Sequence, residues 1–369
     1  MVGKRSGSLE SVVNMDHFSW YRGRRVLVTG HTGFKGSWLC RMLVLAGAKV
    51  TGFALDPPTD PALYDLLNLR NDIRDIRSDV RDLSHLSVIF RTHRPEVVFH
   101  LAAQPIVRTG YEQPRLTYET NVMGTVNLLE CVRNTPGILS VLNVTTDKVY
   151  LNREWVWGYR EDEMLDGFDP YSNSKSCSEL VTHSYVNSFF SSPDAPAVST
   201  ARAGNVIGGG DFARDRILPD CYRAAFAGSA IQVRNPHATR PYQHVLEPLS
   251  AYMEIAMRQA EDRSLAGWYN VGPDDRNCVT TREIVDMFVH LWGEGASWEN
   301  RAEENAPHEA GLLKLDCSLI RRKLGWKSTW DMEEAVGNTV RWYKTFRDGG
   351  SVTEETDREI RSFLSHYST

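Results

Sequence analysis

The strongest constraint on the fold is a repeating order of elements that begins at Arg25. Short runs of β-branched and apolar residues alternate there with longer segments of helical period. This alternation predicts an α/β protein with a doubly wound parallel sheet that is covered by helices on both faces. The predicted strands are residues 25–29, 49–55, 76–80, 96–101, 139–145 and 197–202. The predicted helices lie near residues 36–46, 86–94, 116–133 and 171–190.

The texture of the sequence changes beyond Asn205. Glycine- and proline-rich loops there join isolated helices, which predicts a second and less regular region. We expect residues 21–204 to form a first domain, with part of 242–270 returning to it. Residues 205–369 are expected to form a smaller, mostly helical substrate-binding region, and residues 1–20 a disordered tail.

Composition excludes several classes of protein. The 369 residues carry 42 basic and 47 acidic side chains, and this net charge of −5 offers no basic surplus for nucleic acid or an anionic membrane. No apolar run is long enough to span a bilayer, and the first residues lack the apolar core of a secretion signal, so a cytoplasmic protein is expected. Six dispersed cysteines and 11 histidines without ligand spacing predict neither disulfides nor a metal site.

A glycine-rich turn follows the first predicted strand directly. Gly30, Gly33 and Gly36 are spaced three residues apart, immediately before an apolar helix. Glycine permits close approach of the backbone, and the free amides of a helix N-terminus bind anions, so the turn predicts a pyrophosphate site. A simple turn is the alternative. Asp56, at the end of the second predicted strand, favours NAD over NADP because its carboxylate would bind an adenosine ribose, although a solvated turn residue also fits.

Tyr171 and Lys175 are four residues apart in a predicted helix and therefore share one face. A nearby ammonium stabilises a phenolate, so Lys175 is expected to lower the pKa of Tyr171 toward neutrality. Such a tyrosine is a base for a sugar hydroxyl during hydride transfer. An exposed helical pair is the alternative explanation of the spacing.

Thr146, Asp147 and Lys148 follow the fifth predicted strand. Ligands of open parallel sheets bind at the carboxyl ends of the strands, so a hydroxyl, a carboxylate and an amine are expected at the ligand. Thr146 would share a substrate oxygen with Tyr171, while Asp147 and Lys148 would supply an acid and a base for a second proton transfer. An ordinary loop start also fits these three residues.

Together these motifs resemble a known family. TGHTGFKG at the turn, HLAAQ at 100–104, the helix with Asn121, TTDKVY at 145–150 and YSNSK at 171–175 are similar to those of the extended short-chain dehydrogenase/reductases, and within them the nucleotide-sugar 4,6-dehydratases. The resemblance covers residues 24–343. It implies a Rossmann domain that binds NAD, a smaller domain that binds a sugar nucleotide, and a homodimer packed through helices.

One position separates branches of that family. Members that act on dTDP-glucose carry a glutamate after the catalytic aspartate, whereas this chain carries Lys148. With AGNVIGGGDFARDRILPD and RPYQHVLEPLS, the lysine resembles members that act on CDP-glucose. The implied reaction converts CDP-D-glucose to CDP-4-dehydro-6-deoxy-D-glucose, a step toward the deoxysugars of surface lipopolysaccharide.

The resemblance implies a role for each catalytic candidate. Tyr171, assisted by Lys175 and Thr146, takes the O4 proton while NAD takes the C4 hydride. Lys148, if neutral, removes the C5 proton, and Asp147, if protonated, donates to the departing C6 hydroxyl before hydride returns to C6. Adjacency of Asp147 and Lys148 favours an ion pair instead, in which both side chains are charged.

The resemblance also implies binding residues. The cofactor candidates are Gly30, Gly33, Phe34, Lys35, Gly36, Asp56, Asp79, Val80, Ala102, Ala103, Asn121, Tyr171 and Lys175. The substrate candidates are Gln104, Asn205, Arg216, Arg240, His244 and Glu309. The two arginines are included because a guanidinium matches a diphosphate, with a solvated surface position as the alternative for each.

Two other functions stay open. A nucleotide-sugar 4-epimerase, or another C4 oxidoreductase, has the same fold, NAD, Tyr171 and Lys175 but does not require Asp147 and Lys148. A non-catalytic NAD-binding scaffold requires none of these side chains, and their presence at fitting positions disfavours it.

Overall fold

The computed structural model describes residues 15–274, 277–301 and 312–367. Its strands are β1 (Arg25–Thr29), β2 (Lys49–Ala54), β3 (Arg74–Arg77), β4 (Val97–His100), β5 (Ser140–Val144), β6 (Ala197–Ala203), β7 (Val206–Ile207), β8 (Ile231–Val233), β9 (Thr239–Arg240), β10 (Gln243–His244), β11 (Trp268–Val271), β12 (Val279–Thr280) and β13 (Trp298–Asn300). Within these ranges, seven parallel strands form the central sheet in the order β11-β6-β5-β4-β1-β2-β3. The predicted doubly wound α/β fold is therefore confirmed.

Helices cover both faces of the sheet. They are α1 (Phe34–Leu45), α2 (Leu63–Leu66), α3 (Leu83–His93), α4 (Val107–Glu112), α5 (Pro114–Tyr118), α6 (Gly124–Arg133), α7 (Pro170–Phe189), α8 (Ile217–Phe226), α9 (Leu246–Glu261), α10 (Thr281–Trp292), α11 (Ser318–Leu324), α12 (Met332–Arg347) and α13 (Val352–His366). Because side chains of a strand alternate in direction, Val26 and Val28 join one buried cluster and Leu27 joins a second on the opposite face.

Two predicted elements differ from the observed ones. β3 begins at Arg74 and ends at Arg77, so Asp79 and Val80 lie beyond it, whereas residues 76–80 were expected. It is an edge strand with charged side chains, so no apolar run marks its position. The helix expected at 116–133 is divided into α5, a π-helical turn at Glu119–Met123, and α6.

The prediction that residues 1–20 form a disordered tail is wrong for the last residues of that range. Residues 1–14 lie outside the described part, but Asp16–Tyr21 form a 3-10 helix in which Phe18 and Tyr21 are fully buried. The Tyr21 hydroxyl donates to the Met253 carbonyl of α9 at 2.7 Å. Burial of two aromatic rings therefore orders a segment that the sequence marks by the aromatic residues Phe18, Trp20 and Tyr21.

The chain beyond β6 adds one strand to the central sheet and forms separate two-stranded sheets and helices. α9 packs on β5 and β6, and β11 pairs with β6. The pairs β7–β10, β9–β12 and β8–β13 accompany α8 and the helices from α10 onward. All six cysteines are free, and no helix among the described residues is long and apolar enough to cross a membrane.

Candidate active site

The glycine-rich turn joins β1 to α1 at the carboxyl edge of the sheet. Gly30 has a φ of +76°, and a Cβ there would lie 2.7 Å from the Ala102 nitrogen. A Cβ at Gly36 would lie 2.1 Å from the Gly30 oxygen, so both positions require glycine. Gly33 precedes Phe34 at the start of α1, and no side chain caps the helix there. The first amides are thus available to an anion, which fits a dinucleotide pyrophosphate.

The predicted adenosine side of the site lies around the ends of β2 and β3. The Asp56 side chain is 91% exposed and its carboxylate lies 3.7 Å from Arg77 Nη1. Asp79 accepts a hydrogen bond from Arg81 at 2.6 Å, and Val80 is buried. A contact of Asp56 with a ribose stays a prediction.

The segment after β4 packs behind the glycine turn. The Ala102 backbone N–H donates to the Thr29 hydroxyl at 3.2 Å, and Ala103 follows it. Asn121, buried in the π-helical turn, accepts from the Gln104 N–H at 2.8 Å and donates to the Gln104 carbonyl at 3.1 Å. These contacts fit the expected support of the active-site backbone by Asn121.

The side chain of Gln104 is engaged within the protein. Its Nε2 donates to Thr117 Oγ1 at 2.9 Å, and its Oε1 accepts from the Ile106 N–H at 2.7 Å. Its contact with a substrate stays a prediction.

Tyr171 and Lys175 lie on α7, which begins with the Asp169 carboxylate accepting two backbone N–H groups. Both side chains are buried. Burial raises the pKa of Tyr171 to about 12, against a hydrogen bond with Thr146 that lowers it. The expected fall of this pKa toward neutrality is therefore wrong for the protein alone, because burial prevails and the Lys175 ammonium donates to the Val144 carbonyl at 3.0 Å.

Asp147 and Lys148 form an ion pair at the end of β5. Lys148 Nζ lies 2.8 Å from Asp147 Oδ1 and 3.1 Å from Asn205 Oδ1. Thr146 Oγ1 donates to the same Asp147 oxygen at 3.0 Å. The second oxygen, Asp147 Oδ2, is buried and has no hydrogen-bond partner among the described residues. The structure thus brings together four of the predicted residues, with one carboxylate oxygen left for a ligand.

Positive charge gathers beside this pair. Burial lowers the pKa of Lys35 to about 7, helped by the charges of Arg216, Lys175 and Lys148 and opposed by that of Asp147. Arg216 is one-third exposed, with Nη1 3.5 Å from Asp211 Oδ2. The charges of Lys35 and Arg216 therefore act on each other beside the catalytic candidates, and contact of either side chain with a diphosphate stays a prediction.

The expected contact of His244 with the substrate is wrong. Its ring is fully buried between Trp38, Trp330 and α13, where Nε2 lies 3.3 Å from Glu359. Burial lowers its pKa to about 3, as expected for a neutral core histidine.

Two further substrate candidates stay predictions. Arg240 is buried on β9 and donates to the Thr239 carbonyl at 3.1 Å. Glu309 lies outside the described residues.

Two residues near the site, Gly110 and Tyr252, have no counterpart in the motifs. A Cβ at Gly110 of α4 would lie 3.3 Å from the Tyr171 Cβ, so glycine lets α4 approach the tyrosine. Tyr252 of α9 lies with its ring centre 5.8 Å from Lys35 Nζ. Neither carries a sequence signal beyond its residue type. No group of three His, Cys, Asp or Glu in the described ranges is arranged to hold a metal ion. That the protein uses no catalytic metal stays a prediction.

Comparison with known proteins defines the class. The family model for GDP-mannose 4,6 dehydratase matches residues 27–339, so the chain belongs to this family. More particularly, the chain is 48% identical over 352 residues to the CDP-glucose 4,6-dehydratase of Salmonella typhimurium, covering 94% of this chain and 98% of the relative. Identity to a dTDP-glucose 4,6-dehydratase of Shigella flexneri is 25%, over 86% of this chain and 92% of that protein.

Solved structures show the same fold. A dTDP-glucose 4,6-dehydratase from Streptomyces venezuelae with NAD and TYD bound has a TM-score of 0.75 at 23% identity, covering 88% of this chain and 98% of that one. A UDP-glucose 4-epimerase from Thermus thermophilus in complex with NAD has a TM-score of 0.74 at 25% identity, over 87% and 99% of the two chains. The fold therefore accommodates both dehydratases and epimerases.

Proposed function

We propose that the chain catalyses the NAD-dependent dehydration of CDP-D-glucose to CDP-4-dehydro-6-deoxy-D-glucose. The observation that carries the proposal is the Asp147–Lys148 pair, hydrogen-bonded to Thr146 beside Tyr171. Oxidation at C4 alone needs only a base, whereas loss of water across C5 and C6 also needs an acid and a second base. The 48% identity to a CDP-glucose 4,6-dehydratase over nearly the whole chain supports the same conclusion.

The glycine turn fits NAD. Gly30 and Gly36 leave no room for a Cβ, so the backbone of the turn stays open to a pyrophosphate, and the uncapped start of α1 offers amides to it. When bound, NAD supplies the acceptor for the C4 hydride and the donor that returns it to C6. The chain's own residues have to take protons from O4 and C5, give one to the departing C6 hydroxyl and return one to C5.

Tyr171 handles the proton on O4. Thr146 can stabilise the deprotonated phenol if its hydroxyl proton turns from Asp147 Oδ1 to the phenolate oxygen, and Lys175 holds its charge at the end of β5 nearby. Burial excludes water from the phenol, so the substrate hydroxyl is the proton source that reaches it. The ketone formed at C4 acidifies the C5 proton.

The Asp147–Lys148 ion pair supplies the second acid and base. A shift of one proton across the 2.8 Å hydrogen bond, from Nζ to Oδ1, converts ammonium and carboxylate into a neutral amine and a carboxylic acid. Lys148 then removes the C5 proton, and Asp147 donates its proton to the departing C6 hydroxyl. Because the two side chains are hydrogen-bonded to each other, the proton that Lys148 loses becomes the proton that Asp147 donates. When hydride returns to C6, the Lys148 ammonium, exchanged with solvent, gives a proton back to C5, and the O4 proton held by Tyr171 passes through solvent to restore the Asp147 carboxylic acid.

A panel of sugar nucleotides tests the proposal. The protein is incubated in D2O, with and without added NAD, with the CDP, dTDP, UDP and GDP forms of glucose, and product mass is followed. We expect loss of one water from CDP-glucose alone and deuterium at C5. Unchanged mass with inverted C4 stereochemistry would identify a 4-epimerase, and no conversion of any substrate would favour a binding scaffold.

We infer that the protein acts as a cytoplasmic homodimer that supplies deoxysugars for surface polysaccharide. Exposed apolar side chains on neighbouring elements support a helix-packed dimer: Leu180 of α7 is 53% exposed, and Met123 of the π-helical turn that packs on α7 is 50% exposed. Sedimentation equilibrium tests it, with Leu180→Glu expected to give monomers and an unchanged dimer as the contradicting result.

A further inference from the structure

A buried carboxylate lies one helical turn beyond Lys175. Glu179 of α7 has no exposed side-chain surface and takes part in none of the proton transfers described above. It accepts a hydrogen bond from Thr145 Oγ1 at the end of β5. Two further donors come from β6, Thr200 Oγ1 at 2.7 Å and Arg202 Nη2 at 2.9 Å. These three donors are themselves buried.

Arg202 fixes the charge of Glu179. Burial alone would raise the pKa of this carboxyl, but the Arg202 charge and the hydrogen bonds outweigh it and hold the pKa at about 2. Arg202 is itself fully buried, and its second nitrogen donates to the Tyr150 hydroxyl at 2.7 Å and to the Glu161 carbonyl at 2.9 Å. Glu179 is therefore a permanent negative charge anchored to the sheet.

The helix meets the strand end in a regular way. Three side chains at successive turns of α7 contact three consecutive residues at the end of β5. The pairs are Tyr171 with Thr146, Lys175 with Val144, and Glu179 with Thr145. Asp147 and Lys148 follow Thr146 directly. The three contacts between α7 and the end of β5 therefore also set the position of these two side chains relative to Tyr171.

We propose that Glu179 is a positioning residue for the reaction, which fixes α7 against the end of β5 and keeps the Lys175 amine in its charged form. The inference rests on the proposed function for its kinetic consequence. A charged Lys175 favours the phenolate of Tyr171 more than a neutral amine would, so a carboxylate one turn away should affect the pH range in which the tyrosine accepts a proton.

The charges around the two groups agree with this role. Burial lowers the pKa of Lys175 to about 8, and Glu179 is the group that raises it. His100 and Lys35 also face Lys175. Around Glu179 lie Arg202, Tyr150 and His183, whose Nε2 is 3.3 Å away. Among these groups Glu179 is the negative charge, so a neutral replacement leaves the lowering effect of burial on the Lys175 pKa unopposed.

Glu179→Gln tests the charge with little change of shape. We expect the limb of the kcat/KM profile that follows the Lys175 ionisation to move to lower pH by about one unit. Glu254→Gln, which neutralises another fully buried carboxylate on α9, is the matched control and should keep the wild-type profile. Glu179→Asp restores the charge and should return the limb toward its wild-type position. A folded Glu179→Gln enzyme with an unshifted limb would overturn the proposal.

A second measurement does not depend on turnover. In protein labelled with carbon-13 at lysine Cε, the Lys175 resonance, assigned by its loss in Lys175→Met, should titrate about one unit lower in Glu179→Gln than in wild type. An identical titration contradicts the proposal even if the substrate is another sugar nucleotide, whereas a wild type without turnover contradicts only the proposed function.

A further variant isolates the contact with β5. Thr145→Val keeps the Glu179 charge and removes its hydroxyl donor, so kcat should fall about tenfold without a shift of the limb. If Glu179→Gln does not fold, an unchanged kcat in Thr145→Val overturns the positioning role by itself.

Discussion

Two neighbouring side chains, Asp147 and Lys148, share one hydrogen bond at the end of β5. Asn205 accepts the second contact of the ammonium at 3.1 Å, and the other carboxylate oxygen is free of partners within the described residues. The sequence places both groups at the carboxyl edge of the sheet but leaves open whether they face each other. Only the backbone turn after β5 decides that, because the 3-10 turn at Asp147–Val149 replaces the alternation of a strand.

Lys148→Met should separate the two halves of the reaction. The variant keeps most of the side-chain volume but has no amine, so C4 oxidation should persist while C5 proton exchange and water loss fall by about 10² to 10⁴-fold. Single-turnover absorbance of NADH and C5 exchange in D2O measure the two steps. Lys323→Met, at an exposed position of α11, is the control. Equal losses of NADH formation and exchange would show that Lys148 does not act at C5.

Gly36→Ala should damage the cofactor turn, whereas Gly33→Ala should leave its packing intact. A Cβ at Gly36 would lie 2.1 Å from the Gly30 oxygen, but one at Gly33 would lie at an ordinary 3.5 Å. We expect Gly36→Ala to lose about 1–3 kcal/mol of stability and to bind NAD more weakly. Urea unfolding and calorimetric titration with NAD measure both effects. Equal stability of the two variants would contradict the packing argument.

At the scale of elements, apolar periodicity located most of the sheet. Residues 25–29 coincide with β1, and the predictions for β2 and β6 differ from the structure by one residue. The charged edge strand β3 and the π-helical turn at Glu119–Met123 were not predictable in this way. An edge strand needs no apolar run, and one extra residue in a helical turn leaves the apolar pattern almost unchanged.

The site could be predicted as far as the motifs reach. Tyr171, Lys175 and Thr146 come together because α7 crosses the end of β5. The four-residue spacing of Tyr171 and Lys175, and the position of Thr146 after a predicted strand, predicted this. His244 was misplaced because the contacts of a histidine depend on elements far along the chain, here Glu359 of α13. Likewise, the pKa of Tyr171 depends on burial, which a motif does not report.

The start of α9 should make stability depend on pH. Glu247 accepts hydrogen bonds from the Thr329 and Trp330 backbones at 3.0 and 2.7 Å, and burial raises its pKa to about 8. The folded state therefore holds this proton where the unfolded state has lost it. The resulting stabilisation is complete below the ordinary carboxyl pKa and is lost as pH rises toward about 8.

Glu247→Gln should flatten this dependence. Between about pH 5 and pH 8, the wild-type free energy of unfolding should fall relative to the variant by about 1 kcal/mol per pH unit. Urea unfolding across this range measures the difference, with Glu333→Gln on the exposed side of α12 as the control. Parallel curves for wild type and Glu247→Gln would show that Glu247 has no raised pKa in the folded state.

At the scale of the whole molecule, the two ends of the described chain meet on α9. The ring centre of Phe18 lies 5.8 Å from that of Tyr367, and His17 Nε2 lies 2.7 Å from Glu254. Since α9 also packs on β5 and β6, this contact joins both ends to the sheet that carries the site. The segment before β1 is therefore part of the folded core.

Phe18→Ala should destabilise the whole molecule. Phe18 is fully buried, so its truncation should cost about 3–5 kcal/mol. Ser19→Ala, at the neighbouring exposed position, should cost almost nothing. Urea unfolding of the two variants checks the difference, and similar stabilities would mean that the 3-10 helix at Asp16–Tyr21 does not contribute to the core.

The most direct test of the proposed dehydration follows one hydrogen atom through the reaction. CDP-glucose that carries deuterium at C4 is converted by the wild-type protein in ordinary water, and the product is examined by mass and proton resonance. We expect loss of one water with the deuterium transferred to the C6 methyl group, since in the proposed dehydration the hydride taken from C4 returns to C6. Deuterium retained at C4, in a product that has lost no water, would contradict it.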